Sequence, residues 1–136
     1  MHEWAISENL LNHALARAAK EGVSKISRIG IEVGELRQAD PDILRFALEQ
    51  LKKETIAESA QVDVVRIPAS FSCRHCGNRW DFSEEKQRLT SEMGSDNPVH
   101  YVPDFIYVFM RCPRCDSPDF EIISGRDIGL SVRVEI

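Results

Sequence analysis

Four cysteines in two C-x2-C pairs constrain this chain more than any other feature. Cys73-Arg74-His75-Cys76 and Cys112-Pro113-Arg114-Cys115 use every cysteine present. A C-x2-C turn aims two sulfurs at one point, and backbone amides in the turn can donate to them. Gly77 and Asp116 follow the two turns, and both residue types tolerate tight backbone geometry. Paired cysteines in a reducing compartment bind metal rather than form disulfides. Four thiolates in a tetrahedron suit zinc and leave no open position, which marks a structural site. Iron bound in the same sulfur cage is the chemical alternative. The expectation is one structural Zn2+ on Cys73, Cys76, Cys112 and Cys115. The ion would supply folding free energy to a module too small for its own core.

The 136 residues suffice for one domain with a core plus a small appended module. No apolar run approaches the roughly 18 residues of a membrane helix. The start, Met1-His2-Glu3-Trp4, has no basic or apolar leader region. The expected location is cytoplasmic. Net charge is −5, opposite in sign to most nucleic-acid binders. Residues 70–124 hold six Lys/Arg against nine Asp/Glu, and a zinc with four thiolates adds two more negative charges. Such a module repels phosphate.

Residues 3–21 read as a helix with Trp4, Leu11, Leu15 and Ala18 at helical spacing, widened by Leu10 and Ala14. His13 falls on the polar face, and Gly22 is a natural stop. Ile29, Ile31 and Val33 alternate as a strand. Asp40-Pro41 reads as an N-cap followed by proline at the first helical position. The helix it opens places Ile43, Phe46, Ala47 and Leu51 on one face. Gln61 to Ile67 is a second strand, closed by Pro68. Ser83 to Asn97 is polar, and Tyr101 to Met110 is expected as a strand from its aromatic and β-branched content. Leu130, Val132, Val134 and Ile136 alternate in a last strand. The expected fold is α+β: two helices on a small three-stranded mixed sheet, with an inserted zinc-ribbon-like module. The expected domains are 1–69 plus 125–136, and 70–124.

Met1-His2-Glu3 carries the second chemical signal. Histidine is too large for efficient removal of the initiator methionine, so Met1 is expected to remain and keep its free amine. That amine, two backbone amides and the His2 imidazole can close chelate rings in a square plane, which suits Ni(II) or Cu(II).

The whole chain resembles the HypA family, the nickel-insertion accessory proteins of [NiFe]-hydrogenase maturation. Four features carry the resemblance: the Met1-His2-Glu3-Trp4 opening, Val33-Gly34-Glu35-Leu36 after the first strand, Phe46-Ala47-Leu48-Glu49 in the second helix, and the paired knuckles before a last strand. The resemblance implies a nickel metallochaperone with a nickel-binding domain and a zinc domain. Transferable Ni2+ would sit on Met1, His2 and Glu3, and structural zinc on the four cysteines. The implied partners are the HypB GTPase and the hydrogenase large-subunit precursor; some bacterial members also serve urease. The 35 residues from Gly77 to Arg111 make the gap between knuckles long, like that of archaeal members. There a histidine in the insertion can approach nickel, and His100 is the matching position here. His75 is expected at the surface, because four cysteines already fill the cage. No Gly-rich phosphate loop and no nucleophile–base pair is recognisable, so an enzyme is not expected. The competing reading is a zinc-ribbon interaction adaptor without transferable metal.

Overall fold

The computed structural model describes residues 2–93 and 97–135. Met1, expected as a nickel ligand, and Ile136, expected in the last strand, lie outside the described residues. The chain forms two compact units: Met1–Glu32, Ala39–Val65 and Gly129–Ile136 in one, Val33–Gln38 and Arg66–Ile128 in the other.

The first unit pairs two helices with a sheet. Helix α1 spans Glu3–Lys20, with Glu3 in its first turn and Arg17 and Lys20 in its last, charges that suit the helix dipole. Gly22, at φ +69°, ends it. Helix α2 spans Pro41–Leu51. As expected, Asp40 caps it, its carboxylate accepting from the Asp42 and Ile43 amides at 2.9 and 3.4 Å. The sheet takes strands β1 (Lys25–Gly34), β2 (Gln61–Ile67) and β6 (Ile128–Glu135) in the order β2-β1-β6. Ile26, Ile29, Ile31 and Val33 of β1 are buried, while Leu130, Val132 and Val134 of β6 are half-buried.

The expected faces are met in part: Leu11, Ala14 and Ala18 of α1 and Ala47 of α2 are buried as expected, but each helix is rotated so that its large apolar residues Trp4 and Phe46 stay outside. On α1 the buried set is Glu3, Ser7, Leu11, Ala14 and Ala18, and Trp4 stays 47% exposed. On α2 it is Leu44, Ala47 and Leu48, with Phe46 58% exposed. Small residues explain the rotation. Ala14, Ala18 and Ala47 are fully buried and allow close packing, and Ser7 Oγ donates to the Leu44 carbonyl at 3.0 Å. Trp4 and Phe46 then meet edge-to-face at the surface, ring centroids 6.1 Å apart.

The second unit is built on strands β3 (Ser70–Cys73), β4 (Arg79–Asp81) and β5 (Phe120–Ser124), antiparallel in the order β4-β3-β5. Phe71 lies opposite Trp80 on one side and Ile122 on the other. Its core joins Leu36, Ala69, Phe71, Phe82, Val99, Ile106, Met110 and Phe120. Phe71 meets Phe120 at 90° with centroids 5.8 Å apart, a favoured aromatic geometry.

The long segment between the knuckles is largely helical. The polar stretch forms α3 (Ser83–Met93), opened by Asp81, whose carboxylate accepts from the Ser83 amide at 3.0 Å. The strand expected over 101–110 is absent; short helices α4 (Pro98–Tyr101) and α5 (Ile106–Phe109) flank a 3-10 turn at Pro103–Phe105. β-branched and aromatic residues suggested a strand, but Pro98 and Pro103 each start a helical turn. Val99, Pro103, Ile106 and Met110 are buried, which is helical spacing.

Candidate metal centre

The two knuckles repeat one backbone design. In the first, the Cys73 amide donates to the Asn78 carbonyl at 2.8 Å and the Gly77 amide to the Cys73 carbonyl at 3.0 Å. In the second, Cys112 donates to Ser117 at 3.0 Å and Asp116 to Cys112 at 2.8 Å. The fourth residue after the first cysteine of each pair is left-handed: Gly77 at φ +77° and Asp116 at φ +62°. Those two residue types reach that conformation at low cost.

The knuckles bring all four sulfurs within 4.8 Å of one another. Cys73 and Cys115 are 3.6 Å apart, as are Cys76 and Cys112. A zinc with sulfurs at about 2.3 Å needs tetrahedral edges of roughly 3.8 Å, so this donor set fits that ion. Backbone donors soften the thiolates: the His75 and Cys76 amides reach Cys73 at 3.3 and 3.4 Å, and the Arg114 amide reaches Cys112 at 3.4 Å. The Cys76 amide hydrogen bond chiefly lowers the Cys73 pKa, against the pull of burial. At Cys112 burial pushes upward, but amide donors from Cys115 and Arg114 outweigh it and bring the thiol down to about 6. At Cys115 the Ser117 amide favours the thiolate, yet burial and the other three sulfurs push it up to about 12. The metal-free cage therefore resists holding four negative sulfurs, and a divalent cation relieves that repulsion.

The N-terminal residues are placed differently. His2 is exposed at the N-cap of α1, its carbonyl accepting from the Ile6 amide at 2.8 Å. Glu3 is the first helical residue, where an amide has no intrahelical acceptor. Its side chain is only 5% exposed and turned inward, Oε1 accepting from the Asp40 amide at 3.3 Å. This tie between α1 and the cap of α2 is a role the sequence alone did not suggest. His100, in the second unit, is 5% exposed, and its ring Nδ1 bonds the Arg37 carbonyl. His75 lies on the surface of its knuckle and His13 on the exposed face of α1.

A family profile described as "Hydrogenase/urease nickel incorporation, metallochaperone, hypA" matches residues 1–134. The chain is 38% identical to the hydrogenase maturation factor HypA of Pyrococcus horikoshii, covering 99% of this chain and 96% of that protein. It is 37% identical to that of Pyrococcus furiosus, covering 96% and 93%. The chain belongs to the HypA family. The fold agrees: the solution structure of the Ni metallochaperone HypA from Helicobacter pylori aligns with a TM-score of 0.58 at 21% identity, covering 98% of this chain and 97% of that one.

Within this HypA chain, the Val33-Gly34-Glu35-Leu36 segment that carried the resemblance has a structural role. A Cβ on Gly34 would lie 2.5 Å from the Asp127 carbonyl oxygen and 2.6 Å from that of Gly125. Glu35 Oε1 accepts from the Ala69 amide at 2.9 Å, and its carboxylate pairs with Lys86 at 3.8 Å. Leu36 is fully buried in the second unit's core. Among the described residues, no helix is long and apolar enough to cross a membrane.

Proposed function

We propose that this HypA-family protein is a cytoplasmic metallochaperone that takes Ni(II) on Met1, His2 and Glu3 and helps deliver it to a [NiFe]-hydrogenase large-subunit precursor. The HypB GTPase is the partner that hands over the metal. Residues 1–69 plus 125–136 serve nickel, residues 70–124 serve zinc, and the chain catalyses no reaction of its own. Cys73, Cys76, Cys112 and Cys115 hold zinc permanently, and that ion supplies folding free energy, not chemistry.

The observation that carries this reading is the division of labour at Glu3. Its carboxylate is occupied inside the unit, while its amide opens α1 at a position outside the helical hydrogen-bond ladder. The donor set is then the Met1 amine, the His2 and Glu3 amides and the His2 imidazole, a planar nitrogen set that suits Ni(II) or Cu(II), and membership of a nickel-incorporation family selects Ni(II). His100 acts as an auxiliary nitrogen donor. Metal release is aided by acid, because imidazole and amide nitrogens take protons back.

Native mass spectrometry of untagged protein with Ni(II) and Zn(II) tests the assignment. Wild type should carry one nickel and one zinc, and His2→Ala one zinc only. A His2→Ala protein that still carries nickel as wild type does would favour the adaptor reading.

A further inference from the structure

Strand β4 leaves one side of its backbone unused. It is an edge of the β4-β3-β5 sheet. The Cys73 amide bonds the Asn78 carbonyl at 2.8 Å, in the register that sets Phe71 opposite Trp80 and Ser72 opposite Arg79. Bonded and non-bonded pairs alternate along an antiparallel ladder. Trp80 therefore turns its main-chain groups toward β3, and Arg79 and Asp81 turn theirs outward. Among the described residues, no partner takes up those outward groups.

Beside this edge lies a cleft of about 420 Å³, lined by Trp80, Asp81, Ser83, Glu85, Arg111 and Pro113. All six belong to the second unit. The apolar part of the wall is fixed. Trp80 is half-buried, its ring against Phe71 and Phe120 with centroids 5.7 and 5.5 Å away, and its indole N–H donates to Met110 Sδ at 3.3 Å. Pro113, in the second knuckle, is exposed.

The charges of the cleft are unequally satisfied. Asp81 Oδ1 accepts from the Ser83 amide at 3.0 Å and from the Ser83 hydroxyl at 2.5 Å. Glu85 accepts from Arg88 Nε at 2.9 Å. Arg111 donates from Nη1 to the Asp116 carbonyl at 3.4 Å, but among the described residues no carboxylate meets its guanidinium. Nor does one meet Arg79, on β4, or Arg114, next to Pro113, and both are exposed. Arg74 of the first knuckle, by contrast, has Asp119 at 3.0 Å and Glu121 at 3.8 Å. Spare positive charge thus gathers at this edge of a module whose sequence is net acidic.

A short, charged edge resists indiscriminate pairing. A cleft beside it makes the edge selective: when a peptide adds a strand, main-chain bonds give affinity and pockets for alternate side chains give specificity. We propose that the β4 edge and its cleft are a docking site for an extended acidic segment of a partner protein. The segment pairs with the outward main-chain groups of Arg79 and Asp81, sets an apolar side chain against Trp80 and Pro113, and places a carboxylate on Arg111. Nickel has no part in this contact.

The test uses zinc-loaded, full-length, 15N-labelled protein without nickel. The probes are the blocked peptide Val-Glu-Val-Glu-Val and its counterpart with Gln in place of Glu, at millimolar concentration. The acidic peptide should move the Arg79 and Asp81 amide signals and the Trp80 indole signal, and the neutral one should bind about 10-fold more weakly, the scale of one lost hydrogen bond between charged groups. Only every second amide of an added strand faces its neighbour. N-methylation of one alternating set of the acidic peptide's amides should therefore abolish binding, and methylation of the other set should spare it. Arg111→Gln should keep zinc and bring the acidic peptide down to the affinity of the neutral one. If Arg111 only offsets the thiolate charge of the cage, Arg111→Gln leaves acidic-peptide binding unchanged, and the proposal falls. It falls equally if the acidic peptide moves none of these signals, if the two methylated peptides bind alike, or if single-stranded DNA moves the signals and the peptide does not.

Discussion

Replacing Glu3 separates its two contributions. Glu3→Ala removes a nearly buried carboxylate and strands the Asp40 amide that bonds it at 3.3 Å. A hydrogen bond to a charged group contributes about 1.5–3 kcal/mol, and the length of this one puts it near the low end. Loss of one buried methylene adds roughly 1 kcal/mol, and loss of an acidic group in the first helical turn a few tenths of a kcal/mol. The sum is about 3 kcal/mol, or about 6–12 °C in the melting temperature of a chain this size. Glu3→Gln keeps an oxygen for the Asp40 amide and should cost about 1 kcal/mol or less. If nickel is held by the Glu3 amide, Glu3→Gln should bind one equivalent of nickel with an affinity close to that of wild type. Circular dichroism melts of zinc-loaded protein and calorimetric nickel titrations read both quantities. A Glu3→Gln protein that melts like wild type but has lost nickel would show that the carboxylate is itself a ligand, and the argument from burial would be wrong.

Other outcomes follow from the second unit. Gly77→Ala should cost about 1–2 kcal/mol, the left-handed penalty alone, because a Cβ there meets nothing within 4 Å. Gly125→Ala should cost about 1–3 kcal/mol more, because at φ +79° its Cβ would lie 2.5 Å from the Ala69 Cα; equal urea midpoints for the two would refute the comparison. Stripping zinc with a chelator, or replacing Cys112 with Ala, should disorder the second unit and alter the fluorescence of Trp80, whose ring packs on Phe71 and Phe120; unchanged fluorescence would mean the unit folds without metal. Arg126 hydrogen bonds hold Asp104 below the usual carboxylate range. At Asp127 burial pulls upward, but Arg37 and Arg126 outweigh it. A depressed folded pKa gives stability that is present above the unfolded value of about 4 and is lost as pH falls through the folded value. Arg126→Ala should therefore lower the acid midpoint difference between pH 6 and pH 3, read by urea titration at each pH.

The metal cage was legible because its determinants are local. Each C-x2-C turn, with Gly77 or Asp116 after it, sets its own geometry. The Asp40-Pro41 cap was legible for the same reason. The buried face of α2 was not, because Ile43-Phe46-Ala47 and Leu44-Ala47-Leu48 both satisfy helical spacing, and only the packed partner decides between them. Residues 101–110 misled through composition: β-branched and aromatic residues outweighed Pro98 and Pro103, although prolines that open helical turns were the better guide. The inward turn of Glu3 and the hydrogen bond between the Gln38 and Asn97 side chains depend on contacts 37 and 59 residues apart, which no local pattern encodes. The opening Met1-His2-Glu3 suits Ni(II) or Cu(II) by its donor chemistry, and only the family resemblance singles out nickel.

The proposed delivery role depends on a free amine at Met1. Calorimetric titration of Ni(II) into zinc-loaded protein beginning at a free Met1 should give one tight site. The same protein with a single residue added before Met1 should give none, with its zinc content unchanged. Equal nickel binding by the two proteins would contradict the account.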